Sequence, residues 1–336
     1  MKPKNLPRWI SVSLLLFFTT CAPPTDTHLP QTPVKAQMID QVMDISKLGQ
    51  ALQKLAKDPI LRSGQISFSL KKVKSREVVM EHYSHKTLIP ASCLKALTTA
   101  TGLGVLGSDF QFSTRLEYSG EIKEQHLSGD LIIRGGGDPT LSSRIMKTHS
   151  LSTVLNRWTK KLKELGIKEI DGDILVDESA FFGDISPAHW IWGDMGNYFG
   201  APAGAINVYD NTYRLYFQPG TIGKEAKIFR TDPTIEDIKF INEVKTAGPG
   251  TGDQASISGA PYDPVRYVSG TVPFVPSGGQ FTIKGSIPDP ALYLAQTWKQ
   301  LLNSQGIKVG GKPTTSRLRQ LAKQTIPWLL SNCFQV

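Results

Sequence analysis

The sequence predicts an α/β (α+β) protein in which a small mixed region precedes a long β-rich insertion and a later helix. Apolar residues recur at a helical period of about 3.6 in residues 39–57 and again in residues 288–306. Residues 181–285 are dense in glycine, proline and asparagine and carry short alternating runs, which predict strands joined by turns. At 336 residues, the chain is long enough for two or three domains.

The first region predicts a hairpin followed by a second helix. Residues 66–70 alternate between apolar and polar side chains, as a half-buried strand does, and residues 78–83 are its expected hairpin partner. A helical pattern then begins at Ile89-Pro90-Ala91 and continues to about residue 106. Gly107 is expected to end this helix.

Beyond residue 112 the pattern changes to short strands, with one helix over residues 151–165. Asp171-Gly172-Asp173 predicts a hairpin turn before a strand over residues 174–176. The helix over residues 288–306 is expected to return to the first region. The predicted strands cover residues 114–118, 127–134, 168–176, 213–218, 238–244 and 282–285.

The N-terminus has the layout of a secretory signal peptide. Lys2, Lys4 and Arg8 precede a short apolar run, and small residues follow it. We therefore expect secretion to the periplasm or cell envelope. Cys21 stands where a bacterial lipoprotein carries its lipid anchor, and both lipidation at Cys21 and ordinary cleavage near Ala22 fit this layout. The polar, proline-rich residues that follow resemble a tether.

Composition excludes several classes of protein. The net charge is +9 and the pI about 9.3, which favours an anionic partner. No dense basic block with interleaved aromatic residues occurs, so we expect no nucleic-acid binding. The three cysteines and six histidines show no metal-ligand spacing, and we expect neither a metal site nor a cofactor.

Two Ser-x-x-Lys pairs occur, and their local patterns separate them. Ser69 and Lys72 lie on the alternating stretch, where side chains three residues apart point to opposite faces, so this pair is interpreted as accidental. Ser92 and Lys95 lie on a helical pattern, where residues three apart share a face and touch. Only the second pair predicts cooperating side chains.

Ser92 and Lys95 suggest an acylating serine hydrolase with Ser92 as nucleophile and Lys95 as general base. Pro90 suits a first helical turn, which would place Ser92 at the positive end of the helix. A lysine can act as base only where burial or nearby positive charge favours its neutral amine, and we expect Lys95 to point into a largely apolar region. The alternative is an N-cap serine beside an exposed lysine.

Two other motifs are interpreted as accidental or structural. Gly135-Gly136-Gly137-Asp138-Pro139 follows a strand but lacks the lysine of a phosphate loop, and it predicts a tight turn. Lys245-Thr246-Ala247-Gly248 resembles a Lys-Thr-Gly triad with one residue inserted. The insertion would move each later side chain to the other face of a strand.

Four segments together resemble the D-Ala-D-Ala carboxypeptidases/endopeptidases of the penicillin-binding protein 4 type, the S13 serine peptidases. Their order and spacing agree with the family from about residue 40 to about residue 315. Each segment alone is weak, whereas the set is specific. The segments are residues 89–98 around Ser92, 129–141, 198–208 and 289–293.

The resemblance implies a penicillin-binding transpeptidase/β-lactamase-like domain with β-rich inserted domains. It implies attack by Ser92, with Lys95 as base, on the D-Ala-D-Ala carbonyl of peptidoglycan stem peptides through an acyl-enzyme, and covalent inhibition by β-lactams. The implied organisation is a signal peptide (1–21), a tether (22–38), the first part of the catalytic domain (39–112), inserted β-rich domains (113–285) and a return helix with a tail (286–336).

The sequence departs from the family at two motifs. It contains no Ser-x-Asn and no Lys-Thr-Gly or Lys-Ser-Gly, which in the family complete the site. We therefore expect the C-terminal part of the catalytic domain to be missing. A catalytically inactive remnant or cell-wall-binding module remains an alternative to an active hydrolase, and a serine esterase or β-lactamase on the same scaffold is a third interpretation.

Overall fold

A computed structural model describes residues 45–147, 149–181, 183–322 and 332–334. The predicted signal peptide, Cys21 and the tether lie outside the described residues. The chain divides into two compact units, residues 1–99 and residues 100–336. No helix among the described residues is both long and apolar enough to cross a membrane.

The four helices expected from periodicity are confirmed where the structure describes them, and a short fifth helix was not predicted. The helices are α1 (Ile45–Ala56), α2 (Leu94–Leu106), α3 (Leu151–Glu164), α4 (Pro290–Ser304) and α5 (Ser316–Leu321). The strands of the first unit and of the first half of the second are β1 (Phe68–Lys71), β2 (Val78–His82), β3 (Arg115–Tyr118), β4 (Ile122–Lys123), β5 (His126–Leu127), β6 (Leu131–Arg134), β7 (Glu169–Ile170) and β8 (Ile174–Asp177).

The remaining strands belong to the second unit and include seven that the sequence did not predict, namely β10, β12, β13, β14, β16, β17 and β18. They are β9 (Thr212–Gln218), β10 (Lys227–Asp232), β11 (Lys239–Asn242), β12 (Lys245–Ala247), β13 (Gln254–Ser258), β14 (Val265–Pro273), β15 (Phe281–Ser286), β16 (Lys308–Val309), β17 (Pro313–Thr315) and β18 (Asn332–Phe334).

The first unit contains α1, the β1–β2 hairpin and the start of α2. The two strands pair antiparallel, with Phe68 opposite His82, which confirms the predicted hairpin. Its described side chains, in residues 46–99, are all exposed or half-buried. This unit therefore has no buried core among the described residues.

The second unit has a continuous core. Strands β17, β8, β6, β3 and β18 form a five-stranded sheet in which β6, β8 and β17 run parallel. Helices α3 and α4 meet through an edge-to-face contact between Trp158 and Trp298, with ring centroids 5.3 Å apart. Trp298 is fully buried, and its Nε1 donates a hydrogen bond to Thr159 Oγ1 at 3.1 Å. Both indole rings are thus fixed by packing and one of them by a hydrogen bond.

This unit contains three further sheets, and strands β16, β7, β5 and β4 form one of them, in that order. Strands β10, β9 and β15 are antiparallel neighbours, and β14 pairs with β11, β12 and β13. The sequence did not predict β14 because the charged residue Arg266 interrupts its alternation of apolar and polar side chains. Arg266 occupies an inward position and is only 1% exposed. Its Nη1 donates to the carbonyl oxygens of Ala260 and Val265, so a charged residue takes the place that an apolar one usually fills.

Two predicted strands are each divided into two. The predicted strand over residues 127–134 is interrupted at Gly129, which separates β5 from β6. The predicted strand over residues 168–176 is interrupted at Gly172, which separates β7 from β8. Strands β5 and β7 belong to one sheet, and β6 and β8 belong to another. The predicted hairpin at Asp171-Gly172-Asp173 is therefore wrong, because β7 and β8 do not pair with each other. Arg319 joins the two breaks, donating to Asp130 Oδ2 and Asp173 Oδ2 at 2.8 Å each.

Helix α4 packs within the second unit. It begins at its N-cap Asp289, whose Oδ1 accepts a hydrogen bond from Leu292 N at 2.9 Å. It contacts α3, β8, β16 and β17 of this unit. The apolar face of a helix shows that it is buried but not against which sheet. The return of this helix to the catalytic domain stays a prediction, as do the domain boundaries.

Candidate active site

The Ser-x-x-Lys segment lies where a short 3₁₀ turn becomes helix α2. The turn covers Ala91–Cys93, and α2 continues from Leu94 to Leu106. Ala91 has a φ of +44°, in the left-handed region that residues with a Cβ rarely adopt. Ser92 follows it directly, within the first turn, where backbone N–H groups lack helical partners. Gly107, with a φ of +82°, ends the helix as predicted.

Ser92 and Lys95 touch. Lys95 Nζ donates a hydrogen bond to Ser92 Oγ over 2.9 Å. The geometric part of the sequence prediction, that these residues share a helical face, is therefore confirmed. The contact spans one turn of a single helix, so no long-range packing is needed to form it.

The other Ser-x-x-Lys pair makes no such contact. Ser69 Oγ donates to Glu81 Oε1 at 3.2 Å across the β1–β2 hairpin, and Lys72 forms an ion pair with Glu77 at 2.7 Å. Their separate partners follow from the strand, which sends side chains three residues apart to opposite faces.

The expected apolar surroundings of Lys95 are absent from the described part of the chain, and this expectation is corrected. Ser92, Cys93 and Lys95 are all exposed. Helix α2 has one charged residue, Lys95, and is otherwise made of apolar residues, glycine and threonine, yet Leu97 is 65% and Leu103 61% exposed. A helix of this composition is normally buried on all sides. The structure thus shows the two reacting groups in contact but not the dry cleft that a lysine base needs.

The remaining motifs have structural roles. Gly137 has a φ of +88° and its N–H donates to Ala205 O at 2.8 Å, which agrees with the predicted tight turn. Asp138 Oδ1 accepts hydrogen bonds from Thr140 N and Thr140 Oγ1, both at 2.8 Å. Lys245 and Thr246 lie on β12, and Thr246 is buried, with its hydroxyl accepting from Gly220 N at 3.0 Å.

The sequence did not predict a charged cluster in the second unit. Glu178, Tyr262, Asp289 and Arg317 come from four separate segments and meet at one cavity wall or beside it. No spacing in the sequence links them. Only Asp289, as a helix N-cap before Pro290, carries a local signal.

Comparison with known proteins places these observations in one family. The model of the D-Ala-D-Ala carboxypeptidase 3 (S13) family matches residues 48–327. The D-alanyl-D-alanine carboxypeptidase DacB of Haemophilus influenzae is 26% identical over 251 residues, which cover 74% of this chain and 49% of that protein. A D-alanyl-D-alanine carboxypeptidase of Actinomadura sp. is 21% identical over 273 residues, covering 80% of this chain and 48% of that protein.

Solved structures agree on the fold. The crystal structure of penicillin binding protein 4 from H. influenzae aligns with a TM-score of 0.62 at 23% identity, over 87% of this chain and 59% of that one. The same protein complexed with a novel β-lactam aligns with a TM-score of 0.58 at 21% identity, over 87% and 58%. The chain spans about half the length of the curated relatives it matches. Because the family model covers most of the sequence, the chain belongs to the D-Ala-D-Ala carboxypeptidase 3 (S13) family.

Proposed function

We propose that this chain carries the nucleophile segment of a serine-type D-Ala-D-Ala carboxypeptidase/endopeptidase that acts on peptidoglycan stem peptides and is acylated by β-lactams. The observation that carries the proposal is the 2.9 Å contact between Lys95 Nζ and Ser92 Oγ at the start of α2. A nucleophile in hydrogen-bond contact with a base is the arrangement that acyl transfer requires.

The reaction assigns one role to each of the two residues. With Lys95 as a neutral amine, the proton of Ser92 Oγ passes to Nζ while Oγ forms a bond to the carbonyl carbon of the penultimate D-alanine. Lys95 then returns that proton to the nitrogen of the leaving D-alanine as the peptide C–N bond breaks. Water then loses a proton to the same amine and forms a bond to the acyl carbon, and Lys95 Nζ passes that proton to Ser92 Oγ as the ester C–O bond breaks.

The start of helix α2 favours negative charge near Ser92. The first-turn N–H groups and the helix dipole place partial positive charge there, which stabilises the developing oxyanion. In preorganised sites, a single donor of this kind contributes about 10²–10³ in rate. Acylation therefore needs both the Lys95 contact and an intact first turn, which starts at the strained residue Ala91.

The names of the relatives support this proposal. Two are called D-alanyl-D-alanine carboxypeptidases, and one solved structure of penicillin binding protein 4 contains a β-lactam. We infer the same substrate and inhibitor classes for this chain. We also propose that the chain is exported to the periplasm or cell envelope and carries a lipid anchor at Cys21. Labelling with palmitate tests the anchor, because the unmodified chain should incorporate the label and Cys21→Ser should not.

Labelling with a fluorescent penicillin tests the proposal. We expect covalent labelling of the full chain that Ser92→Ala abolishes. Ser69→Ala is the matched control, because it removes a serine of the second Ser-x-x-Lys pair, and it should leave labelling unchanged. Cys93→Ser, beside the nucleophile, should also retain labelling. Folded protein that takes up no label, or label retained in Ser92→Ala, would contradict the proposal.

A non-catalytic wall-binding module is the second candidate. The observation in its favour is that the second unit has a buried core of its own, whereas the described side chains around Ser92 are exposed. Cosedimentation of the Ser92→Ala chain with purified peptidoglycan tests it. Binding without penicillin labelling of the unmodified chain would support this candidate over the enzyme.

A further inference from the structure

One face of the sheet formed by β10, β9 and β15 points away from the core. The side chains of β9 that face the core are fully buried, namely Tyr213, Leu215 and Phe217. Alternate residues of a strand point to opposite faces, so Arg214 and Tyr216 lie on the outer face. Directly paired residues share a face, which adds Lys284 of β15 opposite Arg214, and Arg230 of β10 opposite Tyr216.

This outer face is basic. The three strands contain one acidic residue, Asp232, and four basic residues, Arg214, Lys227, Arg230 and Lys284. Arg214 approaches Asp232 only to 3.8 Å, and Arg144 already binds the same carboxylate at 2.9 Å. Arg230 and Lys284 form no ion pair within the part of the chain that the structure describes. An anionic partner would therefore complement the charge of this face.

Aromatic rings lie beside these cations at both edges of the sheet. At the β10 edge, Arg230 Cζ lies 3.4 Å from the ring centroid of Tyr216, and the Phe229 ring meets Tyr216 edge to face at 6.0 Å. At the β15 edge, Lys284 Nζ lies 5.6 Å from the ring centroid of Tyr198. Phe229 is 43% and Tyr198 51% exposed. Each edge thus presents an exposed ring, on which the flat C–H face of a sugar can stack, next to a positive charge.

The segment that carries Tyr198 is fixed to the edge of the sheet. Its neighbour Asn197 forms a β-bridge with Gly285 of β15. The Asn197 side chain is buried, and its Nδ2 donates to Gly193 O and to Ser256 Oγ, both at 3.3 Å. A ring whose main chain is held in this way loses little conformational freedom when a partner binds.

We propose that this face binds the glycan strands of peptidoglycan, with sugar rings stacked on Tyr198 and Phe229 and stem-peptide carboxylates paired with Arg214, Arg230 and Lys284. The proposal rests on the proposed function, which places the substrate of this chain in the cell wall. Strand β9 separates the two edge strands, so the two rings lie on strands about 10 Å apart, a span that suits an extended polymer. A guanidinium can bind a carboxylate through two parallel hydrogen bonds. The proposed export favours a wall polymer over nucleic acid as the anionic partner.

Quantitative cosedimentation with purified peptidoglycan tests the proposal. The full chain is used with Ser92→Ala, so that no acyl-enzyme forms. We expect saturable binding that weakens as the salt concentration rises, because salt screens exposed charges. Peptidoglycan whose carboxylates have been converted to amides should bind at least about tenfold more weakly, because it no longer offers partners to the arginines.

Charge-reversal variants in the same background locate the binding. Arg230→Glu combined with Lys284→Glu should weaken binding by about tenfold or more. Arg157→Glu combined with Lys308→Glu is the matched control, because it makes the same change of charge at exposed residues of α3 and β16. The control should bind as the Ser92→Ala chain does, and an equal loss in both double variants would overturn the proposal. Urea midpoints confirm that each variant is folded.

Removal of the rings tests the stacking separately from the charge. Tyr198→Ala combined with Phe229→Ala leaves the net charge unchanged and should weaken binding by about fivefold or more. Unchanged binding in this variant, no sedimentation of the folded Ser92→Ala chain, or tighter binding to single-stranded DNA or phosphatidylglycerol vesicles would each overturn the proposal. With Ser92 restored, the Arg230→Glu and Lys284→Glu chain should take up fluorescent penicillin as the unmodified chain does. Failure of wall binding is thereby distinguished from failure of acylation.

Discussion

The two units of the chain differ in where their apolar side chains lie. In the second unit Leu155, Val176 and Trp298 are at most 1% exposed, and they belong to one contiguous core. In the first unit Leu94 is 51% and Leu97 65% exposed. The nucleophile segment therefore lies in the part of the chain that has the fewest buried contacts of its own.

This difference separates the geometry of a catalytic pair from its environment. The Ser92–Lys95 contact forms within one helical turn, so it exists without a core around it. Whether the amine is buried depends instead on what packs over it, and burial or a nearby positive charge is what favours a neutral lysine. The comparison predicts that changes in the first unit affect chemistry, whereas changes in the second unit affect folding.

The largest effect is expected for Lys95→Ala. Loss of the base should lower the rate of acylation by a penicillin by about 10²–10⁴, because Ser92 then has no proton acceptor in contact. The rate is measured by stopping the labelling reaction at successive times, at several penicillin concentrations. Unfolding by urea should occur at the same midpoint in both proteins, and a variant that acylates at the unmodified rate would show that Lys95 is not the base.

In the second unit, Trp298→Ala should cost about 3–5 kcal/mol of the free energy of unfolding. The indole is fully buried, contacts Trp158 and donates to Thr159 Oγ1, so the substitution leaves a cavity and removes one of the two hydrogen bonds of the Thr159 hydroxyl, which still donates to Leu155 O. Chemical denaturation followed by tryptophan fluorescence, corrected for the lost fluorophore, measures the change. A loss below about 1 kcal/mol would mean that α4 does not pack as the structure shows.

Glu178→Gln should make the protein more stable at high pH. Because the pKa of Glu178 is raised from 4.5 to about 7 in the folded chain, its favourable contribution is complete below about pH 4.5 and is lost as the pH rises to about 7. The neutral amide avoids that loss, so the variant should gain about 2 kcal/mol at pH 8 and lose this advantage near pH 5. Urea midpoints across this range measure it, and a pH-independent difference would contradict the raised pKa.

The smallest effect is expected for Leu97→Ala on α2. Its side chain is 65% exposed, so the free energy of unfolding should change by less than about 0.5 kcal/mol. The same urea titration measures it, with Leu155→Ala in the second unit as the matched buried control. If Leu97→Ala costs as much as Leu155→Ala, then α2 is covered in solution and the contrast between the units is smaller than the structure indicates.

Local pattern predicted α1 to α4, the β1–β2 hairpin and the contact of Ser92 with Lys95, because each depends on residues close together in the chain. Pattern failed at β14, where inward-facing Arg266 interrupts the alternation. It also failed at residues 168–176, where Gly172 separates two strands of different sheets. In both cases the deciding contacts come from distant segments.

By itself the sequence determined the helix that carries Ser92, the spacing that brings Lys95 to it and the family resemblance. These are properties of neighbouring residues, set by backbone geometry over one turn. Only the tertiary structure decided that α4 packs in the second unit, that α2 is exposed, and that Glu178 and Arg317 meet at one cavity. Burial and long-range pairing depend on how segments far apart in sequence come together, and an apolar or charged residue does not encode which partner it will meet.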